Sequence, residues 1–297
     1  MRASRYGALF FLSSCRDADI CLSLYRAGIC LSAFCILVGM SEERLAGKVA
    51  IVTGSSSGIG QAIAVRLAKD GADIVINYRK DEDGANETKR QIDSFGRKSV
   101  IVRADVSKLD EIATLIETAW KQFGKADVLV NNAGVEKGAD FVDVTEADYD
   151  MVLEVNLKGP FFMTQAFVKR LLQADLPGRV LNISSVHEDM VFPHFASYCA
   201  AKGGLRMLMR DLAVELGPKK ITVNNIAPGA IETPINKNLM EDKPKLNALL
   251  ANIPLGRLGS VEDVAALTSF LASDEASYVT GSTYFIDGGL MRNYHEQ

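Results

Sequence analysis

Three polar side chains in the second half of the chain have the types and spacing of a proton-transfer site. Tyr198 and Lys202 are four residues apart, so on a helix they share one face, and Ser185 lies thirteen residues before the tyrosine. A neighbouring ammonium and the positive end of a helix both favour an ionised phenol, so the pattern predicts that Tyr198 loses its proton more easily than an ordinary tyrosine. Ser185 would hold a reacting oxygen by a hydrogen bond. The set is suited to removing the hydroxyl proton of an alcohol while hydride leaves its carbon.

The composition limits the kind of molecule that carries these residues. The chain has 297 residues, of which 48% are hydrophobic and 24% charged, which is enough for one large hydrophobic core. Its formal net charge of −4 provides no basic surface for a phosphate backbone, so we expect no nucleic-acid partner. The cysteines contain no C-x-x-C pair, which argues against a zinc site or a disulfide framework, and we expect no metal.

Residues 1–46 differ from the rest and are predicted to be an N-terminal extension outside the folded domain, which would span residues 47–297. They contain four of the five cysteines and an apolar stretch at 27–40 that is too short for an ordinary membrane span. Residues 1–39 could have no folded role, or could be a targeting or anchoring segment. We expect a cytoplasmic protein, with membrane contact only if residues 1–39 act as an anchor.

From residue 48 onward, apolar stretches of strand length alternate with amphipathic helical stretches. The strands are continuously apolar, which is typical of a parallel sheet covered by helices on both faces. The sequence therefore predicts an α/β fold with a doubly wound parallel sheet. The predicted strands cover residues 49–53, 73–77, 99–103, 127–131, 179–183, 222–226 and 282–286, and the predicted helices cover 61–69, 85–94, 109–122, 149–172 and 198–216.

A glycine-rich loop follows the first predicted strand, at the edge of such a sheet where ligands bind. Gly54, Gly58 and Gly60 have the spacing G-x-x-x-G-x-G and lead into a helix. Glycines let the backbone approach a pyrophosphate, whose charge the first amides of that helix can meet. We therefore expect a dinucleotide, although the loop taken alone could be a tight turn without a ligand.

Further motifs follow the later strands in a fixed order. They are Asp105-Val106, the Asn-Asn-Ala-Gly stretch at 131–134, Asn156, Ser185, Tyr198, Lys202 and Pro228-Gly229. With the glycine loop, this ordered set resembles the short-chain dehydrogenase/reductase family over about residues 46–290. The resemblance implies a single Rossmann-type domain, a small substrate lid at about residues 231–252 and NAD(P)-dependent oxidoreductase activity.

The resemblance also implies roles for individual positions. Asn156, Ser185, Tyr198 and Lys202 would form the catalytic set, with Lys202 on the nicotinamide ribose and Asn156 holding a water that links Lys202 to solvent. The alternative is a helix-surface pair at Tyr198 and Lys202, a strand-end serine at Ser185 and a helix-end residue at Asn156. The cofactor would contact Gly54, Ser56, Ser57, Gly58, Ile59, Gly60, Arg79, Asp105, Val106, Asn132, Tyr198, Lys202, Pro228, Gly229, Ile231 and Thr233.

Two stretches of the cofactor site leave alternatives open. By resemblance, Asp105 receives the adenine amino group and Asn132 lies along the ribose, but the first could be a helix cap and the second part of a structural turn. A carboxylate at the end of the second strand would repel the 2′-phosphate of NADP. The residue there is Tyr78, which is not acidic, so NADP should be tolerated. Arg79 could bind that phosphate by charge-assisted hydrogen bonds, or could be a solvated loop charge. We expect use of both NADP and NAD.

The loop between Ser185 and Tyr198 is placed to line the substrate pocket. His187 and Glu188 could hydrogen-bond sugar hydroxyls, or could be a loop histidine and a solvated charge. The predicted substrate contacts are thus Ser185, His187, Glu188 and Tyr198. The stretches 77–79, 131–136, 184–188 and 229–236 resemble bacterial glucose 1-dehydrogenases, which makes glucose 1-dehydrogenase the expected activity. The alternatives are a ketoreductase like the 3-oxoacyl-[acyl-carrier-protein] reductases and a dinucleotide-binding protein without turnover.

Two further expectations concern the lid and the assembly. The stretch 231–252 interrupts the regular alternation after Pro228-Gly229 and is predicted to cover the substrate, with Thr233 near the cofactor phosphate or carboxamide, as the resemblance implies. The resemblance also implies a homotetramer whose subunit contacts involve 149–172, 198–216 and the end of the last strand.

Overall fold

Residues 43–233 and 237–293 are described by a computed structural model. They form a seven-stranded sheet of parallel strands in the order β3-β2-β1-β4-β5-β6-β7. The strands are β1 (Val49–Val52), β2 (Asp73–Tyr78), β3 (Ser99–Arg103), β4 (Val128–Asn131), β5 (Gly178–Ile183), β6 (Ile221–Pro228) and β7 (Thr283–Ile286). The helices are α1 (Gly58–Lys69), α2 (Glu82–Ser94), α3 (Leu109–Phe123), α4 (Glu146–Leu153), α5 (Gly159–Ala174), α6 (Ala196–Leu216), α7 (Lys237–Glu241), α8 (Lys243–Ala251) and α9 (Val261–Ala272).

The predicted doubly wound parallel sheet is confirmed. Successive side chains of a strand point to opposite faces, so Ala50 and Val52 of β1 pack into one hydrophobic cluster while Val49 and Ile51 pack into another. Helices α1, α2 and α9 contribute to the first cluster, and α3, α5 and α6 contribute to the second. Both faces of the sheet are therefore buried, which explains why the strands are continuously apolar.

The strand order reverses at β1, and this reversal creates the crevice that a ligand can enter. β1 pairs with β2 on one side and with β4 on the other. The connections that follow β1 and β4 therefore leave the sheet in different directions at the carboxyl ends of these strands. The glycine loop follows β1, and Asn132 follows β4, so both predicted cofactor motifs lie at this point.

One predicted helix is interrupted. The sequence predicts a single helix over 149–172, whereas the structure has α4, a π-helical turn at Glu154–Lys158 and then α5. Pro160 explains the interruption, because it has no N–H to donate to the carbonyl of Asn156 and its ring would clash with that carbonyl. The Gly159 N–H instead donates to the Glu154 carbonyl, five residues back. A catalytic candidate, Asn156, thus lies on a helical irregularity rather than on a regular helix.

The folded unit begins before residue 47. Leu45 is 1% exposed in the core, and its N–H donates to the Asp70 carbonyl at 2.8 Å. The core therefore includes a residue that the sequence places in the N-terminal extension. The expectations for residues 1–39 lie outside the described residues, as do positions 234–236 of the predicted lid. Over 43–233 and 237–293, no helix has both the length and the apolar character needed to cross a bilayer.

Candidate active site

A cleft of about 1380 Å³ opens at the carboxyl ends of the strands. It is bordered by the glycine loop, by the loops after β2 to β6 and by α8. Every predicted site residue except Glu188 lines it: Gly54, Ser56, Ser57, Gly58, Ile59, Gly60, Arg79, Asp105, Val106, Asn132, Asn156, Ser185, His187, Tyr198, Lys202, Pro228, Gly229, Ile231 and Thr233.

The glycine loop has the shape that a pyrophosphate requires. Gly54 and Gly58 have φ angles of +61° and +55°, which residues with a Cβ rarely adopt. A Cβ at Gly60 would overlap the Asn132 side chain and the Gly54 carbonyl. Asn132 fixes the loop in turn, because its Nδ2 donates to the carbonyls of Thr53 at 2.8 Å and Gly54 at 3.1 Å. Since α1 starts in this loop, its first amides are available to an anion, so the residues present fit a dinucleotide phosphate.

The catalytic candidates come from two adjoining elements. Ser185 follows β5 and is 7% exposed, while Tyr198 lies in the first turn of α6. Lys202 lies one helical turn after Tyr198, is 4% exposed, and donates from Nζ to the Ile183 carbonyl of β5 at 2.9 Å. Its Nζ is 5.5 Å from the centre of the Tyr198 ring. The end of β5 and the start of α6 therefore bring serine, phenol and ammonium together.

The predicted easy ionisation of Tyr198 is not found in the chain by itself. Burial raises the pKa of Tyr198 to about 12, although a hydrogen bond from Ser185 lowers it, and the negative charge of Glu136 raises it further. The Lys202 ammonium is directed to the Ile183 carbonyl. Desolvation of the phenolate therefore outweighs the hydrogen bond from Ser185, and the phenol stays protonated at neutral pH.

Lys202 is perturbed in the direction that burial dictates for a cation. Desolvation lowers the pKa of Lys202 to about 8, although the negative charge of Glu188 raises it. The amine therefore titrates near physiological pH rather than in the usual range of a lysine. A lysine in this state can change its protonation during a reaction cycle at little cost.

Asn156 is fixed by the backbone around it. It is 1% exposed, and its Nδ2 donates to the carbonyls of Val135 at 2.7 Å and Val152 at 2.9 Å. Its Oδ1 accepts from the Val135 N–H at 3.3 Å. The π-helical turn thus ties the segment after β4 to α4 and holds both at the cleft.

Arg79 and Asp105 form an ion pair at the other end of the cleft. Arg79 Nη1 lies 3.6 Å from Asp105 Oδ2. Burial would raise the pKa of Asp105, but hydrogen bonds from Ser107 and the charge of Arg79 outweigh it and hold this pKa below its usual value. Asp105 Oδ1 accepts from the Ser107 N–H at 3.0 Å, so this carboxylate also closes a local turn before α3. A phosphate that binds Arg79 would share the guanidinium with this carboxylate.

An aromatic stack forms one wall of the substrate end. The rings of His187 and Phe192 are parallel with centres 4.1 Å apart, and Phe192 stacks in the same way on Phe195, also at 4.1 Å. His187 Nδ1 lies 3.2 Å from the Met190 carbonyl. Burial lowers the pKa of His187, although the bond to Met190 raises it, so the ring is neutral at neutral pH. Nδ1 therefore carries the proton, and Nε2, which has no hydrogen-bond partner in the described part of the chain, can accept one from a ligand.

Glu188, predicted as a substrate contact, is turned away from the cleft. Its side chain is 0% exposed, and its carboxylate accepts hydrogen bonds from Asn225 Nδ2 at 2.9 Å and Thr283 Oγ1 at 2.6 Å. The prediction that it contacts sugar hydroxyls is therefore wrong for this arrangement. The short 3₁₀ turn at Val186–Glu188 separates its side chain from that of His187, which does line the cleft.

A carboxylate that the sequence analysis did not single out lies in the cleft. Glu136 lines it, is exposed at its mouth, and partial desolvation raises its pKa. Its position two residues after the Asn-Asn-Ala-Gly stretch could have indicated a place in the cleft, because the carboxyl end of β4 faces the ligand crevice. The apolar wall residues Val191 and Leu290 also escaped sequence analysis, since neither belongs to a recognisable motif.

The predicted lid contributes to the cleft. It forms α7 and α8, joined by Asp242, and its residues Leu239, Lys245, Leu249 and Asn252 line the substrate end. The substrate end is therefore mixed in character, with apolar side chains from the lid and from the loop before α6, and with polar groups at its mouth.

Comparison with known proteins places the chain in a large group of oxidoreductases. Residues 54–291 match the family model described as Enoyl-(Acyl carrier protein) reductase. The chain is 45% identical to 3beta-hydroxysteroid dehydrogenase 1 of Eggerthella lenta over 248 residues, which cover 84% of this chain and 95% of that protein. It is 43% identical to Glucose 1-dehydrogenase 2 of Bacillus subtilis, over 83% of this chain and 95% of that protein.

A solved structure agrees with the fold in detail. A gluconate 5-dehydrogenase from Burkholderia cenocepacia J2315, in complex with NADP and tartrate, superposes with a TM-score of 0.80 at 34% identity. The match covers 85% of this chain and 98% of that one. Similar proteins therefore include oxidoreductases that act on quite different alcohols.

The buried amine gives a prediction about stability. Lowering the pKa of Lys202 from 10.5 to about 8 corresponds to about 3 kcal/mol spent on burying an ammonium. We expect Lys202→Met to raise the free energy of unfolding at pH 7, by less than this amount because the Ile183 carbonyl loses its donor. Between pH 8 and 10.5 the folded amine is neutral while the unfolded amine is charged, so the native protein gains stability as pH rises and the difference shrinks.

Urea unfolding of the native chain and of Lys202→Met at pH 7 and pH 10 measures this difference. The exposed Lys169 of α5 supplies the control, because Lys169→Met should change stability little and equally at both values. A Lys202→Met variant that is less stable than the native chain at pH 7 would contradict the buried-ammonium interpretation.

Proposed function

The chain belongs to the short-chain dehydrogenase/reductase family of NAD(P)-dependent oxidoreductases, and we propose that it oxidises a secondary hydroxyl of a sugar, with glucose as the first candidate. The observation that carries the reaction is the contact between Ser185, Tyr198 and Lys202 at one end of a cleft whose other end fits a dinucleotide. The substrate class is carried by Glu136 and His187, which flank that reaction centre.

The residues of the reaction centre have distinct roles. Tyr198 takes the hydroxyl proton in oxidation and returns it in reduction, while Ser185 donates a hydrogen bond to the same oxygen. Lys202 binds the cofactor ribose and favours the phenolate, and Asn156 holds a water that connects the amine to solvent. When bound, the oxidised nicotinamide supplies the hydride acceptor and a positive charge. Since Tyr198 alone is protonated at neutral pH, the chain is prepared to act as the acid of a reduction and needs added positive charge to act as a base.

Tyr198→Phe tests the base assignment. It removes a single hydroxyl, so we expect cofactor affinity to stay within about twofold while kcat for the best alcohol falls at least about 100-fold, the range that general acid–base catalysis supplies. Cofactor fluorescence titration and steady-state kinetics give the two numbers. Tyr278→Phe, at a fully exposed tyrosine between α9 and β7, should behave as the native chain. A fall of less than about tenfold, or ~1.4 kcal/mol in barrier, would rule Tyr198 out as the base.

Arg79 supports the use of both cofactors. Its guanidinium is half exposed at the end of β2, where it can bind a 2′-phosphate, and the Asp105 carboxylate at 3.6 Å partly neutralises it. The arginine thus favours NADP, while the carboxylate reduces that advantage. NAD, which has no 2′-phosphate, does not depend on either group in this way.

Arg79→Ala tests this balance. Loss of the arginine removes a charge-assisted bond and leaves Asp105 to repel the phosphate, so kcat/KM for NADP should fall about tenfold or more while that for NAD changes little. Arg90→Ala, at an exposed arginine of α2 paired with Glu87, is the control. If the ratio of the two efficiencies stayed the same, Arg79 would have no part in cofactor choice.

A hydroxylated ring satisfies the polar groups at the substrate end. Nε2 of the neutral His187 can accept a hydrogen bond from one hydroxyl of a sugar, and the Glu136 carboxylate can accept hydrogen bonds from others. An apolar substrate covering Glu136 would complete its desolvation without replacing the lost water, which costs about 1–3 kcal/mol for a polar group and more for a charged one. Phe192 and Phe195 line the same end of the cleft and offer apolar contacts to the C–H groups of a sugar ring. This pairing of carboxylate and aromatic wall favours a sugar, even though Glu188 is not available to it.

One observation favours a second candidate, a 3β-hydroxysteroid. The stacked rings, Val191, and Leu239 and Leu249 of the lid give the cleft a long apolar border, and the 45% identical relative is named a 3beta-hydroxysteroid dehydrogenase. A steroid would use this border for most of its area and would need no partner for Glu136. A sugar therefore needs the Glu136 carboxylate as a hydrogen-bond acceptor, whereas a steroid does not.

A substrate panel combined with Glu136→Gln decides between them. Sugars, polyols, hydroxysteroids and β-hydroxyacyl thioesters are assayed with both cofactors by nicotinamide absorbance. If sugars are the substrates, Glu136→Gln should lower kcat/KM at least about tenfold through lost charge-assisted bonds, whereas turnover of a steroid would stay the same or rise. Glu215→Gln, at an exposed carboxylate of α6, is the control. A native chain that oxidises steroids and no sugar would overturn the sugar proposal.

We also propose that the protein assembles as a homotetramer. The outer surfaces of α4 to α6 carry large exposed apolar side chains, among them Tyr149, Phe161, Met207 and Val214, which are 47%, 43%, 62% and 79% exposed. Such side chains favour burial against another copy of the same helices. Sedimentation equilibrium would give the mass of the assembly directly.

A further inference from the structure

Glu188 is a buried acid outside the cleft with a full set of partners. Its side chain is 0% exposed, and one carboxylate oxygen accepts from Asn225 of β6 while the other accepts from Thr283 of β7. Arg206 of α6 approaches to 3.6 Å and pairs with the neighbouring Asp189 at 2.7 Å. Burying a carboxylate is costly unless its oxygens are satisfied, and these partners satisfy both oxygens of Glu188.

The carboxylate ends a row of side-chain amides that crosses the sheet. Asn131, Asn182, Asn225 and Thr283 are direct neighbours in the registers of β4 to β7. Asn131 Nδ2 donates to Asn182 Oδ1, and Asn182 Nδ2 donates to Asn225 Oδ1, both at 2.9 Å. An ionised carboxylate can only accept, so Glu188 obliges Asn225 to donate to it and thereby sets the direction of every bond in the row.

Two members of the catalytic set lie close to Glu188. The Glu188 N–H donates to the Ser185 carbonyl at 3.0 Å, and the His187 N–H donates to Ser185 Oγ at 3.2 Å, so one short turn carries all three residues. Lys202 donates to the carbonyl of Ile183, the residue after Asn182. The negative charge of Glu188 also raises the pKa of Lys202 against the effect of burial.

The other charged groups around this pair are few among the described residues. On α6 itself, Tyr198 and Arg206 flank Lys202 in sequence, and Asp189 follows Glu188 on the turn. Glu136 acts on Tyr198 from the loop after β4. Toward β6, Glu188 faces the neutral amide of Asn225, and His187, whose pKa burial lowers, lies on the same turn.

We propose that Glu188 is a positioning residue of the reaction: its buried carboxylate anchors to β6 and β7 the turn that carries Ser185. Its negative charge, which Arg206 approaches to 3.6 Å, also acts on the Lys202 ammonium. The part that concerns catalysis rests on the proposed dehydrogenase function. The part that concerns the charge of Lys202 is a property of the chain alone. Glu188 acts through these residues and touches neither substrate nor cofactor.

The first test follows Lys202 without substrate or cofactor. The full chain is labelled with lysine carrying ¹³C at the ε carbon, the Lys202 signal is identified by its loss in Lys202→Met, and its shift is titrated with pH. Glu188→Gln keeps the size of the side chain and removes its charge, so the midpoint should move to lower pH, by about 1 unit. Asp189→Asn removes the adjacent carboxylate and should leave the midpoint in place. An unchanged midpoint in Glu188→Gln would overturn this action of its charge on Lys202.

The second test separates anchoring from charge. Thr283→Val removes one hydrogen bond to Glu188 and keeps the carboxylate, so the Lys202 midpoint should stay in place while kcat falls several-fold with cofactor Kd unchanged. Glu188→Gln should lower kcat further and move the high-pH limb of the oxidation profile downward, in step with the Lys202 midpoint. Thermal unfolding by circular dichroism shows whether each variant is folded. If Glu188→Gln does not fold, Thr283→Val decides: a native kcat in that variant overturns the anchoring role.

The two tests keep the inference apart from the proposed function. A native chain that oxidises no alcohol in the panel would refute the dehydrogenase proposal, and the Lys202 midpoint would still report on Glu188. Conversely, full activity in Glu188→Gln with a native pH profile would refute the positioning role while leaving the dehydrogenase function intact.

Discussion

The buried ammonium of Lys202 is the constraint around which the rest of the site is arranged. A cation with 4% exposure needs an acceptor and a compensating charge, and the chain supplies the Ile183 carbonyl for the first and Glu188 for the second. The Glu188 carboxylate, once buried, needs donors of its own, which come from two strands on the far side of β5. Each buried polar group thus requires a hydrogen-bond partner that is itself buried, and the resulting row of hydrogen bonds extends from β4 to β7.

Burial acts on the pKa values of the two proton-carrying groups in opposite directions and favours the neutral form of each. The phenol of Tyr198 holds its proton more tightly than usual, and the amine of Lys202 holds its proton less tightly. At neutral pH the phenol is neutral and the amine, with a pKa of about 8, still carries its proton, yet either group can change its protonation state when a charged molecule binds. The glycine loop and Arg79 lie at the opposite end of the cleft, where they can bind the phosphates of such a molecule.

Sequence patterns predict the sheet and most of the cleft because those features follow from local rules. Continuous apolar strands require cover on both faces, and the glycine loop must follow β1 at the reversal of strand order. Most of the failures come from tertiary context, whereas the helix interruption at Pro160 is a local effect. Glu188 and His187 are adjacent in sequence but face opposite ways, Glu136 belongs to no motif of its own, and Pro160 breaks a helix whose apolar pattern continues. The sign of the Tyr198 shift also depends on desolvation, which no spacing of residues reveals.

The row of amides has a consequence for how the protein folds. Asn131, Asn182 and Asn225 are distant in sequence and meet only when three parallel strands have docked in register. A shift of β5 by a single residue would turn Asn182 to the other face, put Leu181 or Ile183 in its place, and leave Asn131 and Asn225 without this partner in the core. Pairings out of register are thereby penalised more heavily than hydrophobic contacts alone would allow. The row of amides that ends at Glu188 therefore favours the native register of these strands. The same register positions the end of β5, which Ser185 follows and whose Ile183 carbonyl accepts from Lys202.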